Sequence, residues 1–197
     1  MVIAIQFTTP LIAQDKALYQ RAEAGSASAQ TELALWYMSQ GKYKEGETWL
    51  KKAAKQGNSV AQFNLGQSYF NQHNDKEAIK MWKKAANQNH PLAQASLGKI
   101  YETQGNVKEA DKWYGLAAEQ NVPEAQYYIG NRYASSKNYT KAVEWWTKGA
   151  NSGYAPAEFN LAVHYFNNGD ASKAREWCIK AVEHGYPGAG ELLNKIN

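Results

Sequence analysis

The chain has 197 residues, 44% of them hydrophobic and 13% aromatic, enough apolar material to bury a core and to exclude wholesale disorder. Its formal net charge of +4 comes from 22 Lys and Arg scattered among 18 Asp and Glu; without a basic block or stripe, nucleic-acid binding is not expected. One cysteine, Cys178, excludes an internal disulfide and a thiolate zinc site.

Residues 1–10 read as an N-terminal tail. The opening MVIAIQFTTPLIAQD lacks a basic start, and Gln6, Thr8, Thr9 and Pro10 interrupt its apolar run. It is not an intact secretion signal and reads as the clipped remnant of one, with Ala13-Gln14 near a cleavage point. No stretch reaches the roughly 18 apolar residues of a membrane span. A cytoplasmic and a periplasmic location in a bacterium both stay open.

From residue 26 the chain repeats itself in steps of 32 residues. Ala29, Ala61, Ala93, Ala125, Ala157 and Ala189 form one column. Leu33, Leu65, Leu97, Ile129, Leu161 and Leu193 form a second, and Tyr37, Tyr69, Tyr101, Tyr133 and Tyr165 a third. The second half of each unit gives Trp49, Met81, Trp113, Trp145 and Trp177, flanked by Ala or Gly at 46, 53 and their copies. The units are 26–57, 58–89, 90–121, 122–153 and 154–185.

Within a unit the spacing is helical. Ala29, Leu33 and Tyr37 stand at i, i+4, i+8 and predict helix A over about 28–39; Gly46, Trp49 and Ala53 stand at i, i+3, i+7 and predict helix B over about 43–56. Lys42, Asn74, Asn106, Asn138 and Asp170 precede the B helices, and four of these five are good N-caps. Glu45, Glu77 and Glu109, three places on, suit the helix dipole. Gly57, Asn89, Asn121, Gly153 and Gly185 follow the B helices, where a left-handed residue is needed. Pro91, Pro123 and Pro187 suit the first turn of the next helix A. Small residues let helix axes approach while Leu, Tyr and Trp fill the space beside them. One hairpin cannot bury both stripes, so each unit leans on its neighbours.

Residues 11–25 read as a lone B-type capping helix, because Ala22 and Gly25 stand 32 before Ala54 and Gly57. Residues 186–197 read as a lone A-type capping helix, with Asn194 and Asn197 in place of apolar columns. The array is therefore expected to be complete and closed by half-units at both ends.

The motif A-Q-x-x-L-G-x-x-Y…A-x-x-W-x-x-K-A-A, which stands here as Ala61-Gln62-Phe63-Asn64-Leu65-Gly66-Gln67-Ser68-Tyr69 and then Ala78 to Ala86, resembles the Sel-one-like repeat, a branch of the tetratricopeptide superfamily. The resemblance covers residues 26–185. It implies an all-α, right-handed α-solenoid (a superhelix of antiparallel helix pairs) whose A helices line a concave face. It also implies a non-enzymatic protein-interaction scaffold or adaptor without cofactor, expected here as a monomer. Family members include immunity proteins that block toxic effectors and cysteine-rich proteins that bind β-lactams, so a toxin inhibitor and a small-ligand binder are the alternatives. The lack of cysteine pairs argues against the cysteine-rich subgroup.

No catalytic or metal-ligating constellation is legible. His73, His90, His164 and His184 share no ligand spacing and read as turn, helix-end or packing residues. Cys178 stands in the column of Leu50, Trp82, Tyr114 and Trp146 and reads as a buried, inert thiol. Asn138-Tyr139-Thr140 matches a glycosylation acceptor, but Asn138 is already placed as an N-cap.

At 100° per residue, positions 28, 31, 35 and 38 of helix A face roughly opposite its core stripe. A solvated face would be polar, yet these columns carry Phe63, Tyr127 and Phe159, then Gln67, Lys99 and Asn131, then Phe70, Glu102 and Phe166. Aromatics with amide neighbours mark interfaces. Phe63, Phe70, Phe159 and Phe166 suit either the concave groove or packing between successive A helices; Tyr127, Asn131 and Gln67 are assigned to the groove, and Asn160 is added to them. Asn131 and Asn160 match part of the carboxylate clamp of some tetratricopeptide domains. Tyr127 stands where that clamp has a lysine, so capture of a C-terminal carboxylate is not expected.

Overall fold

A computed structural model describes residues 13–196. The expected N-terminal tail, the start of the first capping helix and Asn197 lie outside them. The described residues are all helical between short turns. They form two compact units, which divide between His90 and Pro91.

The first unit holds α1 (Ala13–Glu23), α2 (Ala27–Ser39), α3 (Tyr43–Lys55), α4 (Ser59–Asn71) and α5 (Asp75–Ala86). The second holds α6 (Pro91–Thr103), α7 (Val107–Glu119), α8 (Pro123–Ser135), α9 (Tyr139–Asn151), α10 (Ala155–Asn167), α11 (Ala171–Glu183) and α12 (Ala189–Ile196). The first helices of the pairs start at Ala27, Ser59, Pro91, Pro123 and Ala155, in step with the sequence register. Within each unit, consecutive helices pack on one another as antiparallel pairs. Among the described residues no helix is long and apolar enough to cross a membrane.

Side chains set the helix starts. Asn74, Asn106, Asn138 and Asp170 each accept a hydrogen bond from the backbone N–H three residues on, filling one of the donors a helix N-terminus leaves open. Lys42 has no such bond. Ser26 and Asn58 cap α2 and α4 in the same way. The turn inside each pair needs one left-handed residue. Gly41, Gly105 and Gly169 supply it, and His73 (φ 58) and Lys137 (φ 62) adopt it without that freedom.

Packing follows a small-against-large rule. Gly66 lies under Trp82, Gly98 under Tyr114 and Gly130 under Trp146; a Cβ at these glycines would meet the ring at 2.5, 2.6 and 2.3 Å. Where the large partner is instead Leu50 or Cys178, the small position is Ala34 or Ala162, and all four are fully buried. The Cys178 Sγ donates to the Ala189 carbonyl at 3.1 Å, and burial raises its pKa, as an inert structural thiol requires.

Each repeat also buries one polar side chain at the same register: Gln30 and Gln62 in the first unit, Gln94, Gln126 and Glu158 in the second. Gln30 Nε2 donates to the Ala22 carbonyl and Gln62 Nε2 to that of Ala54, tying each pair to the preceding helix. Gln56 and Gln88 then donate to the Oε1 atoms of Gln30 and Gln62, both at 2.8 Å. In the second unit Gln120 does the same for Gln94 at 2.7 Å. The next two copies differ. Ser152 stands where the donor glutamine would be, and Gln126 Oε1 is buried without a partner. At the last copy Glu158, 1% exposed, faces His184 Nδ1 at 2.9 Å.

Candidate functional site

A crevice of about 540 Å³ in the second unit lies between α8, α9 and α10. Asn131 and Ala134 come from the end of α8, and Tyr139 and Trp146 from α9. Asn160, Val163, His164 and Asn167 form a stripe on α10. The stripe follows from helical spacing, since positions three and four apart share a face. Trp146 lies flat over Gly130, which sets its indole against Asn131. Trp146 Nε1 donates to Asn131 Oδ1 at 2.9 Å, and Asn160 Nδ2 donates to the same oxygen at 2.8 Å. His164 makes ring contacts with Tyr139 and Trp146, with centroids 6.0 and 6.5 Å away. No Lys, Arg, Asp or Glu lines the crevice.

The first unit has a counterpart three 32-residue steps earlier. It encloses about 390 Å³ and is lined by Met38, Tyr43, Asn64, Gln67, Ser68, Asn71 and Gln72. Tyr43, Asn64 and Asn71 match Tyr139, Asn160 and Asn167. The polar groups are used differently. Ser68 Oγ and Gln72 Nε2 both donate to Glu47 Oε2 at 2.8 Å, and Lys51 Nζ meets the other oxygen at 2.7 Å. Burial alone would raise the Glu47 pKa; hydrogen bonds from Lys51, Ser68 and Gln72, with the Lys51 charge, outweigh it and hold the carboxyl below its ordinary value. Asn64 Nδ2 donates to the Val60 carbonyl of its own helix.

The residues expected at the groove fall into five settings. Asn131 and Asn160 share the second unit's crevice, and Gln67 lines that of the first. Lys99, Glu102 and Tyr127 surround a small cavity of about 50 Å³ with Tyr114, Glu124 and Tyr154. There Lys99 and Tyr114 both reach Glu102 Oε2, at 3.2 and 3.3 Å. Burial raises the Glu124 carboxyl above its ordinary value and pushes the Tyr154 hydroxyl to about 12. Phe63 and Phe159 stack on His90 and Tyr186 at 4.7 and 4.6 Å, and Tyr127 tilts against Tyr154 at 5.5 Å. These three share one register and each meets a residue 27 places on, so part of each ring packs against the start of the next repeat. Phe70 and Phe166 remain 42% and 38% exposed, Phe70 with one side against Trp82.

Sequence reasoning missed Tyr139, Trp146, His164 and Asn167. A wheel drawn on one helix A shows what faces away from its own core; it does not show that the next helix A brings positions 32, 36 and 39 to the same crevice. Column 39 (Ser39, Asn71, Thr103, Ser135, Asn167) is uniformly small and polar, which was the available signal. Among the described residues there is no group of three His, Cys, Asp or Glu arranged to hold a metal ion.

A family model described as the Sel1 repeat matches residues 59–90, 123–154 and 155–186. Models of the tetratricopeptide repeat match residues 26–55 and 93–121. A protective antigen present in uropathogenic Escherichia coli strains, displaying an SLR fold, is 30% identical over 92% of this chain and 43% of its own, with a TM-score of 0.83. A Sel1 repeat protein from Oxalobacter formigenes is 27% identical over 91% of this chain and 58% of its own, with a TM-score of 0.81. This chain therefore spans less than two thirds of either. A putative Sel1 repeat protein from Klebsiella pneumoniae subsp. pneumoniae is 25% identical, covering 91% of this chain and 97% of its own, with a TM-score of 0.57. No curated protein matches the sequence.

Proposed function

Because the chain belongs to the Sel1-like repeat proteins of the tetratricopeptide superfamily, we propose that it is a non-enzymatic scaffold that binds a protein partner on the exposed side of the first helix of each pair. The observation that carries this reading is the exposure of large apolar side chains at that register: Leu35, Phe70 and Phe166 are 39%, 42% and 38% exposed. A fold with ample core has no packing need for them there, and aromatic side chains left on a surface are what interfaces use. Gln67, Lys99, Glu102, Asn131 and Asn160 supply adaptable polar contacts around them. Phe63, Tyr127 and Phe159 contribute the ring surface that their stacks leave uncovered.

The test compares the immobilised wild-type chain with a Phe70→Ser/Phe166→Ser variant for capture of proteins from an extract of the native host, read by mass spectrometry. A protein retained by the wild type and lost by the variant, at unchanged helicity, is the expected result. Equal retention by both would place the interface elsewhere. Truncating Phe63, Tyr127 and Phe159 to Ala is expected to weaken capture as well, but it also removes three inter-repeat stacks, so the melting temperature must be followed alongside.

A further inference from the structure

We propose that the small tyrosine-lined cavity between α6, α7 and α8 is a cation site that takes the ammonium group of one lysine side chain of the protein partner. The inference rests on the interaction reading above and names the charge that reading leaves open.

The lining is aromatic and negatively charged at once. Tyr114 and Tyr128 stack with centroids 4.2 Å apart, and Tyr127 and Tyr154 tilt against each other at 59°. Glu102 and Glu124 line the same space, with Lys99 as the one cation. When both carboxyls are ionised, one negative charge is left over. Lys99 does not fill the cavity. Its Nζ meets Glu102 Oε2 at 3.2 Å, and its side chain stays 57% exposed, which puts its ammonium on the rim. Tyr114 Oη donates to the same oxygen. Among the described residues, Glu102 Oε1, both Glu124 oxygens and the hydroxyls of Tyr127 and Tyr154 make no hydrogen bond.

The field of the two carboxylates is not cancelled inside the cavity. Burial contributes most to the raised Glu124 carboxyl, and the Glu102 charge raises it further against the opposing Lys99 charge. After burial, the Glu124 and Glu102 charges are among the causes that raise the Tyr154 hydroxyl. A cation seated between them would relieve both groups.

Size and chemistry select among cations. The volume of about 50 Å³ is less than twice the roughly 30 Å³ share of one liquid water. That gives room for an ammonium and its first methylene and is tighter for the planar four-atom head of arginine. An ammonium has three donors for the unbonded oxygens, and it gains cation–π attraction from tyrosine rings, more so when desolvated. A hard divalent ion would ask for about six oxygen ligands, where the cavity offers two carboxyls, protonated phenols and a repelling Lys99. The fold itself does not require these charges: the Glu102 column elsewhere reads Met38, Phe70, Ala134 and Phe166, and the Glu124 column Ser28, Val60, Leu92 and Pro156.

The probe is Nα-acetyl-lysine N-methylamide, titrated into the 15N-labelled full chain while the backbone amide signals of α8 are followed. A saturable shift with a dissociation constant on the order of millimolar is expected. The Nζ-acetylated and norleucine analogues should give none, and the arginine analogue a weaker one. Glu124→Gln and Glu102→Gln should each weaken binding about five-fold, the loss of one partly buried charge pair. Lys99→Met should tighten it about three-fold by removing the competing charge, a gain that a merely structural Lys99 would not give. Glu47→Gln, in the first unit, should bind like wild type. Glu102→Gln and Lys99→Met remain informative should Glu124→Gln fail to fold. No saturable shift, equal binding of the norleucine analogue, unchanged affinity in both glutamine variants, or displacement of the probe by equimolar calcium chloride would each overturn the proposal. Spermidine bound at micromolar concentration would make this a free-polyamine site and overturn the assignment to a partner's lysine. A partner captured equally by wild type and Glu102→Gln/Glu124→Gln but lost by Phe70→Ser/Phe166→Ser would overturn it while leaving the interaction reading standing.

Discussion

The two crevices share a tyrosine and two asparagines in the same register, yet their polar groups meet different ends. In the first unit Glu47 gathers Ser68, Gln72 and Lys51 into one network. In the second, Val143, His164, Asn168 and Thr147 stand at those positions, and no such network can form. The buried amide column diverges in the same way. Gln30 and Gln62 each have a glutamine donor, whereas Gln126 has an orphaned oxygen and Glu158 has a histidine. The backbone register is common to both units, so the differences are side-chain chemistry alone. A repeat fold can hold its helices constant and vary how completely each crevice satisfies itself.

The strongest way to break this comparison is at Glu158. His184→Ala should cost about 2 kcal/mol, because it leaves the buried Glu158 side chain without its hydrogen-bond partner. Glu158→Gln with His184→Gln, which copies the first unit's amide pair, should return to within about 1 kcal/mol of wild type. Chemical denaturation measures both, and an inert His184→Ala would mean that Glu158 is satisfied by something else. Next in size, Gly66→Ala and Gly130→Ala should each destabilise by about 2 kcal/mol, since the new methyl meets Trp82 or Trp146 and overpacking outweighs the gain in helix propensity. Similar losses would confirm that the two units pack alike; a large difference would show that their rings yield differently.

Ser152→Gln should stabilise the second unit by about 1 kcal/mol by giving Gln126 Oε1 the donor its copies have. Slower hydrogen exchange in α8 and α9 would locate the gain. The smallest effect concerns Glu47. Its folded pKa lies below the ordinary 4.5, so its contribution is present above that value and is lost as pH falls below it. The protection of the α4 amides, relative to their intrinsic exchange rate at each pH, should therefore fall on acidification, by the equivalent of about 0.5 kcal/mol, and Glu47→Gln should abolish that fall.

Much of the helical order was legible because it lives in local spacing: the stripes at 29, 33 and 37, and the caps at Asn74 and Asp170. The crevice was not legible, since it joins side chains from three helices whose relative placement no single periodicity encodes. His164 reads as a packing residue beside Tyr165 until α8 and α9 are set next to it. The buried Gln30, Gln62 and Gln94 column was also hidden. A glutamine beside an alanine column looks like surface, and only its bonds, to a carbonyl eight residues back for Gln30 and Gln62 and to a glutamine 26 residues on for all three, explain why it can be buried.

The claim that a partner sits on the exposed side of the first helices is tested most directly by following the tryptophan indole N–H signals by NMR as the captured partner is added. Trp82 packs beside Phe70 in the first unit, and Trp146 donates to Asn131 in the second. The account predicts saturable shifts of both signals, weakened in Phe70→Ser/Phe166→Ser. Binding that leaves both signals unchanged would contradict it.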